Sequence, residues 1–308
     1  MAAAPLPAEL CNSAMMRDLV GYGGHWPDMT WPGGARLAVS VVVNFEEGAE
    51  QQVLDGDPSS ERMGEVVSVV PDGKPDAGQA QIFAYGTRAG VWRMADALRR
   101  YQIPATIFAC GRAAERARAP LAMLAQAEHE VANHGWLWRP HADYDSAEAE
   151  AADLDRAGAA IEAATGARPL GFFCRGAESP WTRSLLSERG YLYTSNSFDD
   201  DLPYHDPSGV VVVPYALDAN DMKFFHPNGF VRAAEMVEYV TDALDVLDRE
   251  ARAGLPRLLN IGFHLRIAGR PGRFKAFEGV LAELARRRER LWIARRIDIA
   301  RAFAEAVS

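Results

Sequence analysis

The segment VSVVVNFEEGAE, residues 39–50, runs β-branched residues into Asn44 and Phe45 and then sets Glu46, Glu47 and Glu50 at its end. Like charges this close repel, and a strand end can be built from neutral turn formers, so the cluster asks for a chemical role. Two histidines close apolar runs in the same way, His134 after EVAN and His264 after LLNIGF. A carboxylate and two imidazoles gathered at one rim can activate water, stabilise a developing charge and protonate a leaving group, which are the parts of an amide hydrolase. No rival chemistry has its motif: GYGGH lacks the GxGxxG spacing, and neither GxxxxGK[ST] nor GxSxG occurs.

Those residues need a scaffold that brings distant strand ends together. Apolar strands alternate with helical patterns: a strand at 37–44, an extended loop from Gln51 to Gln81, a helix with Val91, Met94, Ala95, Leu98 and Tyr101 at helical spacing, then the strand ATIFAC. The alternation repeats through helices at 116–128 and 146–164, a helix at SPWTRSLLSERG with a Ser179 cap and Pro180 at its first position, and helices at about 231–253 and 272–288. This pattern predicts an α/β fold, a distorted parallel (β/α) barrel of seven or eight strands in a single domain over 1–308, with an N-terminal arm (1–36) and the long 51–81 loop. Active residues of such folds sit where strands end. That position selects Glu46 and Glu47, His134, Cys174 and Arg175, Ser197 to Asp201, Asp218 to Asp221, and His264.

Composition narrows the setting. A net charge of -9, from 33 basic and 42 acidic residues, argues against nucleic acid as a partner. Three cysteines, Cys11, Cys110 and Cys174, form no CxxC pair and suggest neither a disulfide framework nor a thiolate zinc site. No basic residue precedes Arg17, no apolar run reaches the ~20 residues of a membrane span, and a cytoplasmic, membrane-free protein is expected.

The motifs also resemble a family. VVVNFEEG stands where polysaccharide deacetylases carry Thr-Phe-Asp-Asp-Gly, NHGWLW resembles their histidine metal motif, and IGFHL resembles their last catalytic strand. With YGTRAGVWR, DDLPY, PYALDANDMKF and IGFHLRIAGRPGR, the chain is similar from Arg17 to Phe303 to the cofactor-independent allantoinase branch and related cyclic-amide hydrolases. The resemblance implies Glu46 as general base and Glu47 at the first metal-ligand position, their repulsion raising one pKa so that one takes a proton and the other can donate. It implies His264 as proton donor to the leaving nitrogen, His134 holding the substrate carbonyl or Glu47, a small-molecule substrate, and a homotetramer.

Two departures from the family bear on mechanism. Trp138 stands where a second metal histidine would be, leaving Glu47 and His134 as only two ligands when a catalytic zinc keeps three. The expectation is therefore no cofactor, with zinc at Glu47 and His134 as the alternative. The stretch CRGAESPWT displaces Arg175 and puts Trp181 where the relatives have Asn, which leaves a cyclic imide, another hydantoin or an acylated amine open beside allantoin. A metal-dependent deacetylase of amino sugars is the rival enzyme, and a non-catalytic barrel binding a small ligand is the rival outside enzymes. Trp136 and Trp138 are expected to share one face, divided between core packing and an indole lid over a planar ring. Arg175, Asn220 and Asp221 are candidates for substrate contact, the last two equally for an Asx turn. His129, His141, His205 and His226 are expected at the surface.

Overall fold

The computed structural model describes residues 18–307; Cys11, Arg17 and the first part of the 1–36 arm lie outside them. Strand β1 (Leu37–Phe45) is buried along its whole length, as a parallel strand covered on both faces must be. Around it stand β2 (Ala105–Ala109), β3 (Glu130–Asn133), β4 (Gly171–Phe172), β5 (Tyr193–Thr194), β6 (Tyr204–His205), β7 (Val211–Val212), β8 (Arg257–His264) and β9 (Leu291–Ile293). The order is β6-β7-β5-β4-β3-β2-β1-β8, with β9 on β1. All pairings are parallel except that of β6 with β7. The sheet curls into a distorted barrel that stays open between the β6–β7 edge and β8, a seam crossed among the described residues by one bridge, Asn220 to Gly262.

Among the described residues the sheet has nine strands against the expected seven or eight. The extra one, β6, is a two-residue antiparallel piece, too short to leave a periodic pattern. Helices α1 (Ala77–Tyr85), α2 (Val91–Tyr101), α3 (Gly111–Arg116), α4 (Arg118–Gln126), α5 (Ala147–Thr165), α6 (Thr182–Glu188), α7 (Ala233–Arg252), α8 (Pro271–Arg286) and α9 (Arg296–Ala306) complete the fold. Helix α1 begins inside the predicted 51–81 loop, capped by Asp76, whose side chain accepts from the Gln79 amide. Its sequence, AGQAQIFAY, has no clear apolar stripe to announce it. Helix α6 starts at Thr182 rather than Pro180, because the Ser179 hydroxyl instead accepts from the Trp181 amide in the turn before it.

Period-2 alternation sorts each long strand into two faces. Leu37, Val39, Val41, Val43 and Phe45 of β1 join Leu259, Ile261 and Phe263 of β8 in the outer core, against Leu98, Leu244, Phe277 and Leu281 of the helices. Each such large side chain contributes about 1.5–3 kcal/mol on leaving water. The other face lines the barrel in layers. At the base Arg296 donates to Ser40, Asn260 and Ser195; above it lie Phe108, Phe173 and Tyr215; Glu46 continues the 40, 42, 44 series at the top.

Candidate active site

Strand register brings the chosen side chains together. Asn44 pairs with His264 across β1 and β8, and with Phe108 across β1 and β2. Glu46, two residues past Asn44, therefore points to the same interior face, as does His134, two past Ala132. Glu46 Oε1 lies 3.2 Å from His134 Nε2 and 3.4 Å from His264 Nε2, while Oε2 accepts from Arg266 Nη1 at 2.5 Å. These groups are almost wholly enclosed: Glu46 and His134 are 1% exposed, Arg266 2% and His264 5%.

Each imidazole is held from behind. His134 Nδ1 meets the Phe173 carbonyl at 2.5 Å, and its ring stacks on the Phe173 ring. His264 Nδ1 donates to Asp221 Oδ1 at 2.6 Å, and Asp221 Oδ2 accepts from the His264 and Ala268 amides. Both Asp221 oxygens are thus occupied by the protein, so this residue, expected at the substrate, orients His264 instead. Asn220 makes the Asx turn, accepting from the Met222 amide, and donates to the Tyr215 hydroxyl.

The acidic pair separates electrostatically. Burial opposes ionisation of Glu46, but Arg266 and His264 outweigh it and hold its carboxyl well below the usual range. Glu47 is pushed up to about 7, chiefly by burial, with Arg266 opposing and the Glu46 charge adding to the rise. Repulsion is therefore the lesser cause of the split. Glu50 also rises to about 7 through burial. For His264, burial favours the neutral ring, yet Glu46 and Asp221 raise it to about 9. The arrangement offers an ionised carboxylate to take a proton and a protonated imidazole to give one.

The zinc alternative does not fit the residues that would hold it. His134 faces Glu46, not Glu47. The Glu47 carboxylate accepts from the Arg266 amide at 3.1 Å and the Glu46 amide at 3.2 Å, and the Arg266 guanidinium sits 3.9 Å away where a cation would be opposed. Among the described residues no three His, Cys, Asp or Glu side chains gather to hold a metal.

The tryptophans part company. Gly135, at φ 75°, turns the chain directly after His134, so Trp136 and Trp138 lie on no common strand face. Trp136 packs on Arg156 of α5 and on Gly111 of α3, where a Cβ would come within 2.7 Å of the indole. Trp138 stays near the centre, with the Arg266 guanidinium 4.7 Å and the Arg175 guanidinium 3.7 Å from its ring and Phe83 beside it. Arg175 is paired with Glu61 of the long loop at 2.6 Å rather than with Glu46 or Glu47.

Of the four histidines expected outside, His205 and His226 are exposed and His129 is half-buried, its Nδ1 accepting from the Ala105 amide at 3.2 Å. His141 overturns the expectation: it is fully enclosed, 2.9 Å from Glu150. Polar neighbours in sequence hid a buried polar cluster in which Glu150 also accepts from Ser179 and Thr182. Sequence reasoning also missed Arg266, although period 2 carried two residues past His264 points to it.

Comparison with known proteins adds independent weight. The sequence profile of the Polysaccharide deacetylase family matches residues 74–193. A "Putative polysaccharide deacetylase" of Schizosaccharomyces pombe is 31% identical over 93% of this chain and 96% of its own. The crystal structure of a "probable Polysaccharide deacetylase" from Pseudomonas aeruginosa PAO1 is 38% identical with a TM-score of 0.88, over 94% of this chain and 98% of that one. The crystal structure of Puue allantoinase is 40% identical with a TM-score of 0.88, over 94% and 97%. With relatedness over nearly its whole length and the barrel in common, this chain belongs to the polysaccharide deacetylase family and resembles its allantoinase-like branch.

Proposed function

We propose that the protein hydrolyses a carbon–nitrogen bond in a small cyclic amide, opening the ring. The observation that carries this reading is the Glu46 carboxylate held between His134, His264 and Arg266, with a base and an acid of opposite protonation state at one enclosed point. Glu46 takes the proton of a water that attacks the ring carbonyl carbon. The protonated His264 Nε2, its ring fixed by Asp221, gives its proton to the departing nitrogen. His134 stands on the other side of Glu46, oriented by the Phe173 carbonyl, where it can meet the oxygen on which charge develops.

Enclosure supports a small substrate: a polymer needs an open groove, while groups this buried suit a ring that fits a closed pocket. The 40% identity to an allantoinase structure supports the same class. Amide nitrogen in a ring flanked by a second carbonyl leaves as a stabilised anion, so the reading needs no metal. The deacetylase name of the matching family favours the second reading, a metal-dependent deacetylase of amino sugars.

One experiment separates them. Allantoin, hydantoin, dihydrouracil, succinimide and N-acetylglucosamine are offered to the purified protein before and after exhaustive chelation. Ring opening of a cyclic amide that survives chelation, and that falls by roughly 10²–10⁴ in Glu46→Gln and in His264→Ala with the fold retained, is the expected result. Release of acetate from the sugar alone, lost on chelation and restored by zinc, would overturn it.

A further inference from the structure

The open seam of the barrel holds a cavity. Odd-numbered residues of β8 direct their main-chain groups to β1, as Arg257 does in donating to Arg36; even-numbered ones direct theirs across the seam. There the Leu258 amide donates to Asp201 O at 2.8 Å, and the Gly262 amide to Ala219 O at 3.0 Å. Between them the Asn260 amide meets no partner among the described residues. A cavity of about 460 Å3 occupies this missing rung, with Leu258 to Asn260 on one side and Pro214 to Asp218 on the other.

The Asn260 side chain repeats the signal. Its Oδ1 accepts from Arg296 Nη1 at 2.6 Å and from Ser40 Oγ at 3.0 Å, which fixes the amide orientation and leaves Nδ2 unpartnered although the residue is 2% exposed. A buried donor without an acceptor is unfavourable, because it gives up water and gains no partner. Two donors with unmet capacity at the same residue mark a place for an acceptor atom.

The rim carries the opposite demand. Asp199, Asp200, Asp201 and Asp218 surround the opening, and none of the four forms an ion pair with Lys or Arg among the described residues. Their hydrogen-bond partners are neutral, for example Tyr239 on Asp218 and the Leu202 amide on Asp200, and the cation acting on Asp201 is Arg257. Exposed Phe198 and Leu217 stand beside them as apolar surface. The Tyr215 ring closes the cavity on its inner side, stacked on Phe173, which in turn stacks on His134. The catalytic carboxylates lie beyond that wall.

We propose that this cavity is a second binding site, distinct from the catalytic centre, for a small organic cation carrying a carbonyl a few methylenes from its charge. The carbonyl accepts from Asn260, the methylenes lie along Phe198 and Leu217, and the cation sits among the aspartates. A bare metal ion is excluded by the donors at the floor, and an anion by the rim. An extended peptide strand is excluded because the rungs on both sides are already filled by this chain.

Calorimetric titration of the full chain with three probes tests the proposal: N-acetyl-1,4-diaminobutane, which has both features; 1,4-diaminobutane, which lacks the carbonyl; and N-butylacetamide, which lacks the charge. The first should bind saturably at one site, and each of the others at least tenfold more weakly. Its affinity should fall at least tenfold in the double variant Asp201→Asn, Asp218→Asn, both at exposed positions, and stay unchanged in Glu46→Gln. Absence of saturable binding, equal binding of either truncated probe, indifference to the double variant, or loss in Glu46→Gln would each overturn it.

Discussion

Charges alternate in sign through the centre, Asp221, His264, Glu46, Arg266, and that order dictates how single substitutions act. In the proposed mechanism Glu46 works ionised, so the acid limb of kcat/KM should report its pKa. Removing Arg266 as Arg266→Met takes away a charge that lowers this pKa, so the acid limb should move to higher pH, with partial recovery in Arg266→Lys. Loss of one charge-assisted hydrogen bond, about 1.5–3 kcal/mol, should reduce kcat/KM roughly 10- to 100-fold; an unmoved acid limb would deny Arg266 this part. In the same proposal His264 works protonated, so the alkaline limb should lie near its raised value of about 9. Asp221→Asn removes one of the charges that raise it, and the alkaline limb should move to lower pH, read from the same profile. The His264 shift also bears on stability: a folded pKa above the free value of 6.5 gives a contribution fully present below 6.5 and lost as pH rises through about 9.

Among the elements, the helical segment that follows the long loop packs closely against the site. Between α1 and α2 the chain makes a π-helical turn, Gly86–Gly90, an uncommon geometry that often accompanies functional sites. It fits there because two of its residues lack a Cβ. A Cβ on Gly86 would stand 2.2 Å from Glu47 Oε1, and one on Gly90 would stand 2.2 Å from the Leu265 carbonyl oxygen. Gly86→Ala should therefore cost about 1–3 kcal/mol by overpacking, measured by urea unfolding, and lower activity by displacing the Glu47 carboxylate. A wild-type unfolding midpoint would show that the turn can shift freely. Upstream of α1 the irregular stretch is braced from within by Gln52, Ser68 and Asp76, and it reaches the rim through Glu61 on Arg175 and Glu65 on Arg273.

For the molecule as a whole, one buried cation ties the barrel together from its base. Arg296, at the start of α9, is wholly enclosed and donates to side chains or carbonyls of β1, β8 and the segments following β5 and β7, including Pro214 O at 2.7 Å. None of these partners is charged, and burial lowers the guanidinium to about 10. Arg296→Met would leave several acceptors without donors, at about 1–3 kcal/mol apiece, so unfolding free energy should fall by roughly 3–5 kcal/mol. The check is a lower urea midpoint at unchanged slope; an unaltered midpoint would mean that water or neighbouring groups replace it. Among the described residues no helix is long and apolar enough to cross a membrane.

By itself the sequence determined the alternation of strands and helices, because period 2 and period 3.6 are local properties of the chain. It also marked Glu46, His134 and His264, since each closes an apolar run and strand direction alone puts such ends at one rim. Tertiary structure decided what each group touches. Asp221 lies 43 residues before His264 and Arg266 lies 220 after Glu46, and no local pattern records contacts across such separations. The same holds for His141, drawn inside by a helix that supplies Glu150, and for Trp136, turned away from the centre by one glycine. Burial raises both Glu46 and Glu47, and it is the partners that packing supplies, Arg266 and the two imidazoles around Glu46, that make these neighbours in the chain differ.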